Sequence, residues 1–118
     1  MKKAFTLPTC KTCQRIFDDL KPLSKGCTIT NIKEEGVSEE DLDEMKKRAG
    51  SYEALFSRRA IKYKTMGLKE KTLTEDDYKN LILNEYTFLK RPVFINDHEI
   101  YIGNSKKTIE LLKKKLEN

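Results

Sequence analysis

The chain has 118 residues, 36% of them charged and 37% hydrophobic, and a net charge of +5 at neutral pH. Its length supports one domain with a hydrophobic core and its composition excludes a disordered chain, while no apolar run approaches the ~20 residues that span a membrane. Its three cysteines, an odd number, do not fit the paired disulfide framework of a small secreted protein.

The N-terminal segment predicts a strand, a turn and a helix. Residues 1–3 lead straight into a strand at 4–7 without the apolar region of a signal peptide, so we expect a cytoplasmic protein. Pro8 ends this strand. Apolar residues then recur at helical spacing over 11–21, and Pro22 ends the helix.

Two cysteines stand at the start of this helix, in the sequence Thr9-Cys10-Lys11-Thr12-Cys13. The free N–H groups of the first helical turn and the positive end of the helix dipole favour an anion, so we expect Cys10 to ionise easily and act as a nucleophile. Cys13 lies one turn further on and can reach Cys10 to close a disulfide. In a reducing compartment such a pair is catalytic, redox-sensing or metal-binding rather than structural. Strand, turn, CxxC and helix is the redox arrangement of thioredoxin-like folds.

The middle of the chain predicts one more strand and several helical pieces. Residues 27–32 alternate and are rich in β-branched side chains, which favours a strand parallel to the first one, followed by a loop at 34–36. Residues 62–68 show no clear period, although Gly67 suggests a turn. The helical pieces are, in order, a helix capped by Ser38 and ended by Gly50, a short piece at 52–56, and a helix capped by Thr74.

The C-terminal part predicts a β-hairpin and a closing helix. Two short apolar strands, at 93–95 and 99–102, flank a polar turn at 96–97. Residues 103–105 cap the last helix, whose apolar side chains recur on one face. The chain therefore ends in an antiparallel pair of strands followed by an amphipathic helix.

Taken in order, the predicted elements are β-α-β, three helical pieces, β-β and α. A parallel pair followed by an antiparallel hairpin and a closing helix predicts an α/β fold with a mixed four-stranded sheet flanked by helices. This is the thioredoxin-like arrangement with a helical insertion at about 37–88. We expect residues 1–118 to form a single domain of this kind.

Four segments give the chain a resemblance to the arsenate reductase (ArsC) and Spx family over nearly its whole length. They are the CxxC segment at 9–13, residues 52–59 (YEALFSRR), residues 89–95 (LKRPVFI) and the pair at 102–103. The resemblance implies that the insertion lies between the second and third strands, and that Pro92 forms a cis peptide bond and faces the cysteine. A proline at this point also fits a strand start, because it has no N–H to donate.

The resemblance also implies the residues of an oxyanion site. In the arsenate reductases of this family a cysteine attacks arsenate, and arginines hold the oxyanion. Cys10 corresponds to the nucleophile and Arg91 to one of the arginines. The mid-chain motif aligns a second arginine with Arg59, or with Arg58 if the register slips by one residue. The third arginine is missing, because residues 100–103 read IYIG.

The function implied by the resemblance is that of a thiol oxidoreductase that reduces an oxyanion such as arsenate, or a disulfide. Cys10 attacks the substrate, and Cys13 then displaces the product and leaves a disulfide. An external thiol reductant, glutathione with glutaredoxin or the thioredoxin system, reduces that disulfide. Thr12 and Pro92 support the site structurally, and no metal or organic cofactor is expected. The alternative is an Spx-like, redox-switched regulator that binds the α subunit of RNA polymerase, and Cys13 points toward that branch.

Three further features have simpler interpretations. Cys27 begins a strand and is expected to be a small core residue. His98, the only histidine, lies in the hairpin turn, and a zinc site built from it and the three cysteines would lack a second closely spaced ligand pair. The lysine-rich C-terminal stretch at 106–115 is expected to be a solvated helix face rather than a nucleic-acid surface, and we expect a monomer.

Overall fold

The computed structural model of the protein describes residues 2–7, 11, 14–16, 28–96, 98–103 and 105–117. The chain divides into two compact units, which we call the sheet unit (Met1–Glu35 and Arg91–Asn118) and the helical unit (Gly36–Lys90). No helix in the described residues has both the length and the apolar character that crossing a bilayer requires. That residues 1–118 form one domain, with an insertion at about 37–88, stays a prediction.

Among the described residues, the sheet unit contains four strands: β1 (Lys2–Thr6), β2 (Thr28–Asn31), β3 (Val93–Asn96) and β4 (Glu99–Ile102). Their order in the sheet is β2-β1-β3-β4. Strand β1 lies at the centre, pairing in parallel with β2 and antiparallel with β3, which in turn pairs antiparallel with β4. The predicted mixed sheet and C-terminal hairpin are therefore confirmed.

Strand β2 ends one residue earlier than predicted, because Asn31 starts a short helix, α1 (Ile32–Glu35). The side-chain oxygen of Asn31 accepts the N–H of Lys33 at 3.0 Å and that of Glu34 at 3.4 Å. A carboxylate oxygen of Glu35 in turn accepts the N–H of Asn31 at 3.0 Å. These bonds satisfy N–H groups that a helix start leaves free. The loop predicted at 34–36 was therefore wrong for Glu34 and Glu35, which are helical, whereas Gly36 lies outside the helix.

One face of the sheet carries a compact hydrophobic cluster. Ala4 pairs with Phe94, and Phe94 pairs with Tyr101 on the next strand, so all three side chains point to the same face. Ile16, which is helical, and Leu112 of the last helix, α5 (Lys106–Glu117), complete the cluster. The helix that follows β1 and the closing helix therefore both contribute to covering this face.

The C-terminal helix begins at the predicted cap. The hydroxyl oxygen of Ser105 accepts the N–H of Thr108 at 3.1 Å, which satisfies one N–H of the first turn of α5. Ile109 packs on the edge of the sheet cluster, whereas Leu111 is 51% exposed. The amphipathic pattern predicted for this helix is therefore observed.

The helical unit consists of three α-helices, α2 (Glu39–Ala49), α3 (Ile61–Thr65) and α4 (Glu75–Asn84), and one 3₁₀ turn follows each of them. Helix α2 starts at the predicted cap Ser38 and ends at Gly50, whose φ of 95° is left-handed and suits a residue without a side chain. The region at 62–68, where the sequence shows no clear period, overlaps helix α3 and contains Gly67 in a left-handed conformation. The 3₁₀ turns are Glu53–Leu55, Leu68–Glu70 and Tyr86–Phe88.

Aromatic packing holds the helical unit together. The ring of Phe56 stacks on that of Phe88, with 5.0 Å between centroids, and lies 4.9 Å from the ring of Tyr78. Phe56 also forms an isolated antiparallel bridge with Leu89. Around it, the N–H of Ser57 donates to the carbonyl of Phe88 at 2.7 Å. This bridge, which the sequence did not predict, ties the start of the 57–71 segment to the end of the unit.

Helix α4 depends on a capping box. The hydroxyl oxygen of Thr74 accepts the N–H of Asp77 at 3.2 Å, and the Asp77 carboxylate accepts the N–H of Thr74 at 2.9 Å. We expect Thr74→Ala to lower the free energy of unfolding by about 1 kcal/mol, measured by urea denaturation. Thr72→Ala, which removes the hydroxyl of another exposed threonine just before the helix, is the control. Equal stability of the two variants would contradict this role of Thr74.

Candidate functional site

The cysteine motif lies outside the described residues except for Lys11. This applies to the predicted nucleophile Cys10, to Cys13 and to Thr12, and it applies equally to Cys27. Their predicted roles stay predictions. The structure also describes Leu7 before the motif, which is buried, and Lys11 within it and Gln14 after it, which are both exposed.

The register of the sheet determines which residues lie at the end where the cysteine motif begins. Phe5, near the end of β1, pairs with Val93, the first residue of the antiparallel strand β3. Thr6 and Leu7 continue from β1 toward the cysteine motif, while Arg91 and Pro92 directly precede Val93. The chain therefore leaves β1 at the same end of the sheet at which Arg91 and Pro92 enter β3.

Pro92 has the conformation that the resemblance implied. The Arg91–Pro92 peptide bond is cis, which confirms that expectation. Its carbonyl oxygen accepts the N–H of Gly103 at 2.9 Å, so pairing between β3 and β4 extends one step beyond Val93. Pro92 is buried and Arg91 is half-buried. The proline stands at a strand start, as predicted from its missing N–H.

The two arginines of the mid-chain motif have different environments. A terminal nitrogen of Arg58 lies 2.8 Å from a carboxylate oxygen of Glu53 and 3.1 Å from the hydroxyl oxygen of Tyr78. The Tyr78 hydroxyl donates to the same Glu53 oxygen at 3.2 Å. The Arg58 guanidinium also lies 5.9 Å from the centre of the Tyr78 ring. Arg58 is therefore engaged within the helical unit.

Arg59 is exposed, and within the part of the chain that the structure describes it makes no hydrogen bond or ion pair. The N–H donors of the Arg59 guanidinium can therefore bind another group, whereas Arg58 already donates to Glu53 and Tyr78. That Arg59, or Arg58, binds an anion stays a prediction. The sequence reasoning missed the contact that engages Arg58, although Glu53 lies in the same motif five residues earlier.

The ion pair changes the titration of its members. The hydrogen bond from Arg58 lowers the pKa of Glu53, and the hydrogen bond from Tyr78 lowers it further. The same carboxylate raises the pKa of Arg58. The pKa of Tyr78 is also raised, mainly because the phenol is buried and in part because it donates to Glu53. Glu53 therefore stays charged to a lower pH than an isolated glutamate.

We expect acid to destabilise the helical unit. Four of its carboxylates have a lowered pKa in the folded protein, so the unfolded chain binds more protons as the pH falls. The stabilisation is complete above about pH 5 and is lost as the pH falls below about 4. The midpoint of thermal unfolding, measured at several pH values between 5 and about 3, should fall as the pH falls. Glu53→Gln should make this fall of the midpoint with pH less steep. An equally steep fall in the variant would contradict the role of Glu53. The four carboxylates are Asp43, Glu53, Asp77 and Glu85.

The last strand supplies no arginine to the site. Strand β4 carries Ile100, Tyr101 and Ile102. Burial, followed by a hydrogen bond to Glu99, raises the pKa of Tyr101 to about 12, so its phenol is neutral at physiological pH. His98 is exposed, as predicted. Among the residues that the structure describes, no three His, Cys, Asp or Glu side chains cluster as a metal site would require.

Comparison with solved structures establishes the class of fold. The chain is similar to a Bacteroides fragilis protein described as ArsC family related (TM-score 0.79, 23% identity, covering 94% of this chain and 96% of that one). It is also similar to an arsenate reductase from Vibrio cholerae (0.77, 15%, 95% and 95%) and to an arsenate reductase (ArsC) related protein from Brucella melitensis (0.70, 20%, 93% and 92%). The mixed four-stranded sheet with flanking helices is thus a thioredoxin-like fold of the kind these proteins share.

The family follows from the sequence model. Residues 5–112 match the model of the ArsC family, and the protein therefore belongs to the ArsC family. A search of curated protein sequences finds no match. Family membership confirms the resemblance and supports a thiol oxidoreductase as the general function.

Proposed function

We propose that the protein is a cytoplasmic ArsC-type thiol oxidoreductase in which Cys10 is the nucleophile and Cys13 the resolving thiol. The observation that carries this proposal is the register of β1 with β3. It brings the cis Arg91–Pro92 pair to the end of the sheet from which the chain continues into the cysteine motif. A thiolate at a helix start beside a guanidinium would be both reactive and able to approach an anion.

The proposed reaction consumes two thiols and reduces its substrate by two electrons. With arsenate, the Cys10 thiolate attacks arsenic and displaces an oxygen as water, forming a sulfur–arsenic bond. The Cys13 thiolate then attacks the Cys10 sulfur, and the electron pair of the sulfur–arsenic bond leaves with arsenic as arsenite. The two cysteines end as a disulfide. With a disulfide substrate, the same two attacks release the substrate as two thiols.

We propose that Arg59 and Arg91 bind the oxyanion and stabilise the negative charge that develops on it during the reaction. A guanidinium offers a planar fork of donors that matches such an oxygen group. Within the helical unit, Phe56 and Leu89 form an antiparallel bridge, three residues before Arg59 and two residues before Arg91 in the sequence. The N–H of Lys90 donates to the carbonyl of Leu55 at 2.8 Å in this bridge.

The missing third arginine bears on the substrate. An oxyanion held by two guanidinium groups is bound less strongly than one held by three, whereas a disulfide needs no such charge neutralisation. We therefore expect the protein to reduce a disulfide more readily than arsenate. Glutathione with glutaredoxin, or thioredoxin, would restore the two thiols, and the chemistry requires no metal or organic cofactor.

Thiol titration tests the proposal directly. The rate of alkylation of the reduced protein is measured against pH, and initial rates of reduction are then measured with arsenate and with a model disulfide. A Cys10 pKa well below the ~8.5 of a free cysteine, together with turnover of either substrate, is the expected result. A Cys10 pKa equal to that of free cysteine, together with no turnover of arsenate or of the model disulfide, would refute the proposed enzymatic activity.

A second candidate is an Spx-like regulator whose Cys10–Cys13 disulfide switches its binding to the α subunit of RNA polymerase. The observation that favours it is strand β4, which carries no arginine where the reductases of the family have one. Pull-down of the purified α subunit by the oxidised and the reduced protein tests it. Redox-dependent binding without turnover would favour the regulator, and turnover without binding would favour the enzyme.

A further inference from the structure

Residues 57–71 of the helical unit carry an excess of positive charge. Of the 24 basic and 19 acidic side chains of the protein, six basic ones and one acidic one, Glu70, lie in this segment, so its net charge is +5. The remaining residues hold 18 side chains of each kind and are balanced. The net charge of the whole protein therefore equals that of this one segment. Its basic side chains are Arg58, Arg59, Lys62, Lys64, Lys69 and Lys71.

Three lysines of this segment have no partner among the described residues. The Arg58 guanidinium pairs with Glu53, and the Lys62 ammonium group pairs with Glu85. The other three lysines are exposed, and their ammonium groups make no hydrogen bond or ion pair with any described residue. Their charge can therefore attract an anionic partner from solution. These lysines are Lys64, Lys69 and Lys71.

Two large apolar side chains of the same segment face solvent. Ile61 is 80% exposed and Met66 is 47% exposed, although isoleucine and methionine are among the residues most often buried. The packing of helix α3 explains the exposure of Ile61. Ala60 at the start of this helix is buried, and the Tyr63 ring packs edge-on against Phe56 with 6.0 Å between centroids. Because these two residues fix the inner side of α3, Ile61 lies on its outer side.

The unpaired lysines lie beside these apolar side chains. Lys64 follows Ile61 by three positions in α3, which makes the two side chains neighbours on the helix surface. Lys71 lines the same groove as Met66, and helix α3 packs against the 3₁₀ turn that carries Lys69. Cations and exposed apolar groups therefore occur together on this part of the helical unit. We define the cationic face as the side chains of Ile61, Lys64, Met66, Lys69 and Lys71.

The composition of the cationic face indicates the class of partner. Proteins that bind reversibly to anionic bilayers combine lysines, which the negative surface potential attracts, with apolar side chains that enter the boundary between headgroups and acyl chains. Non-specific nucleic-acid surfaces instead combine basic residues with exposed aromatic rings on which bases stack. The one aromatic ring of the segment, that of Tyr63, is packed against Phe56. Exposed aliphatic side chains among unpaired lysines therefore fit a lipid surface better than a nucleic acid.

We infer that the cationic face binds the surface of an anionic phospholipid bilayer. The three ammonium groups lie at the anionic headgroups, and the side chains of Ile61 and Met66 enter the boundary below them. Three lysines and two apolar side chains give a weak, reversible attachment, and salt weakens it by screening the lysine charges. This binding uses neither cysteine of the CxxC motif, so it goes beyond the proposed function and is tested separately from it.

Cosedimentation of the full chain with phospholipid vesicles measures this binding. We expect the protein to partition onto vesicles of phosphatidylcholine and phosphatidylserine in equal amounts, but not onto vesicles of phosphatidylcholine alone, and high salt should release it. The double variant Lys64→Gln/Lys69→Gln should weaken the partition about thirtyfold, because each lysine at an anionic surface strengthens binding about fivefold. Ile61→Ser should weaken it about tenfold, because an apolar side chain no longer leaves water.

Matched controls come from helix α5, which is also rich in lysine. Lys106→Gln/Lys107→Gln removes the same charge from two exposed lysines, and Leu111→Ser removes an apolar side chain that is 51% exposed. Both should change the partition much less than the variants of the cationic face. The midpoint of thermal unfolding should be the same for all four variants, because each changes only exposed side chains.

Three results would overturn the inference. The first is a wild-type protein that does not partition onto the anionic vesicles. The second is an equal or larger loss of partition in the α5 variants, or an Ile61→Ser variant that partitions like the wild type. The third is tighter binding of the wild type to single-stranded RNA than to the vesicles in the same buffer, which would assign the cationic face to a nucleic acid.

Discussion

Cys10→Ser is expected to lower thiol-dependent turnover by on the order of a thousandfold or more, because the serine hydroxyl is not ionised where a thiolate is. The measurement is the steady-state rate of reduction of arsenate and of a model disulfide, with dithiothreitol as reductant. Cys27→Ala, which removes the thiol outside the CxxC motif, is the control and should retain turnover. Equal rates for the wild type and Cys10→Ser would rule out every catalytic version of the proposed function.

Cys13→Ser separates the two steps of the reaction. The first attack needs only Cys10, so this variant should still react once with substrate in a rapid-mixing experiment. It should then fail to release product at the normal rate, because no second thiol attacks the Cys10 sulfur. Multiple turnover by Cys13→Ser at the wild-type rate would assign the resolving role to an external thiol instead.

Arg59→Ala is expected to lower kcat/KM for arsenate by about a hundredfold, since a charge-assisted hydrogen bond to the oxyanion contributes about 1.5–3 kcal/mol. Its thermal stability should stay close to that of the wild type, because Arg59 is exposed and contacts no described residue through a hydrogen bond or an ion pair. The measurements are the kinetics with arsenate and the midpoint of thermal unfolding.

The neighbouring Arg58→Ala provides the matched comparison. It removes the partner of Glu53 and Tyr78, so it should lower the midpoint of unfolding while changing kcat/KM much less. The reverse pattern, a large kinetic effect at Arg58 and none at Arg59, would assign the anion-binding role to Arg58. The pair of variants therefore settles the one-residue ambiguity of the motif.

The sheet could be predicted because its strands follow simple rules of alternation and connection. Val93, Phe94 and Ile95 form an apolar run after a proline, and the polar turn after them leaves only a hairpin as the short connection. The caps Ser38 and Thr74 could also be predicted, since each is followed by acidic residues in the first turn. Local chemistry specifies these elements, and the structure contains them.

Other elements could not be predicted because their residues run against the usual patterns. Ile32 is β-branched and follows an alternating strand, yet it begins a helix, because Asn31 supplies bonds to two of the following N–H groups. Helix α3 begins with Ile61, which points to solvent, so no amphipathic period marks it. The Phe56–Leu89 bridge is a single pair of residues and leaves no period at all.

The candidate site was predicted as residue types rather than as geometry. The CxxC motif and the Arg-Pro pair could be read from the sequence, and the cis bond at Pro92 followed from the family resemblance. Sequence alone could not distinguish Arg58 from Arg59, because the distinction depends on Glu53 and Tyr78, which pack on Arg58 from two different elements. A register ambiguity of one residue is resolved only when the partners of each side chain are known.

The position of β1 in the sheet has a consequence for the order of folding. Lys3 meets Thr28 on one side but Ile95 on the other, so one of its two pairings spans most of the polypeptide. Bringing distant strands together is slow, because the loop between them must first be closed at an entropic cost. A helical unit that has already closed on itself shortens that loop, and we therefore expect it to become protected from amide hydrogen exchange before the hairpin joins β1.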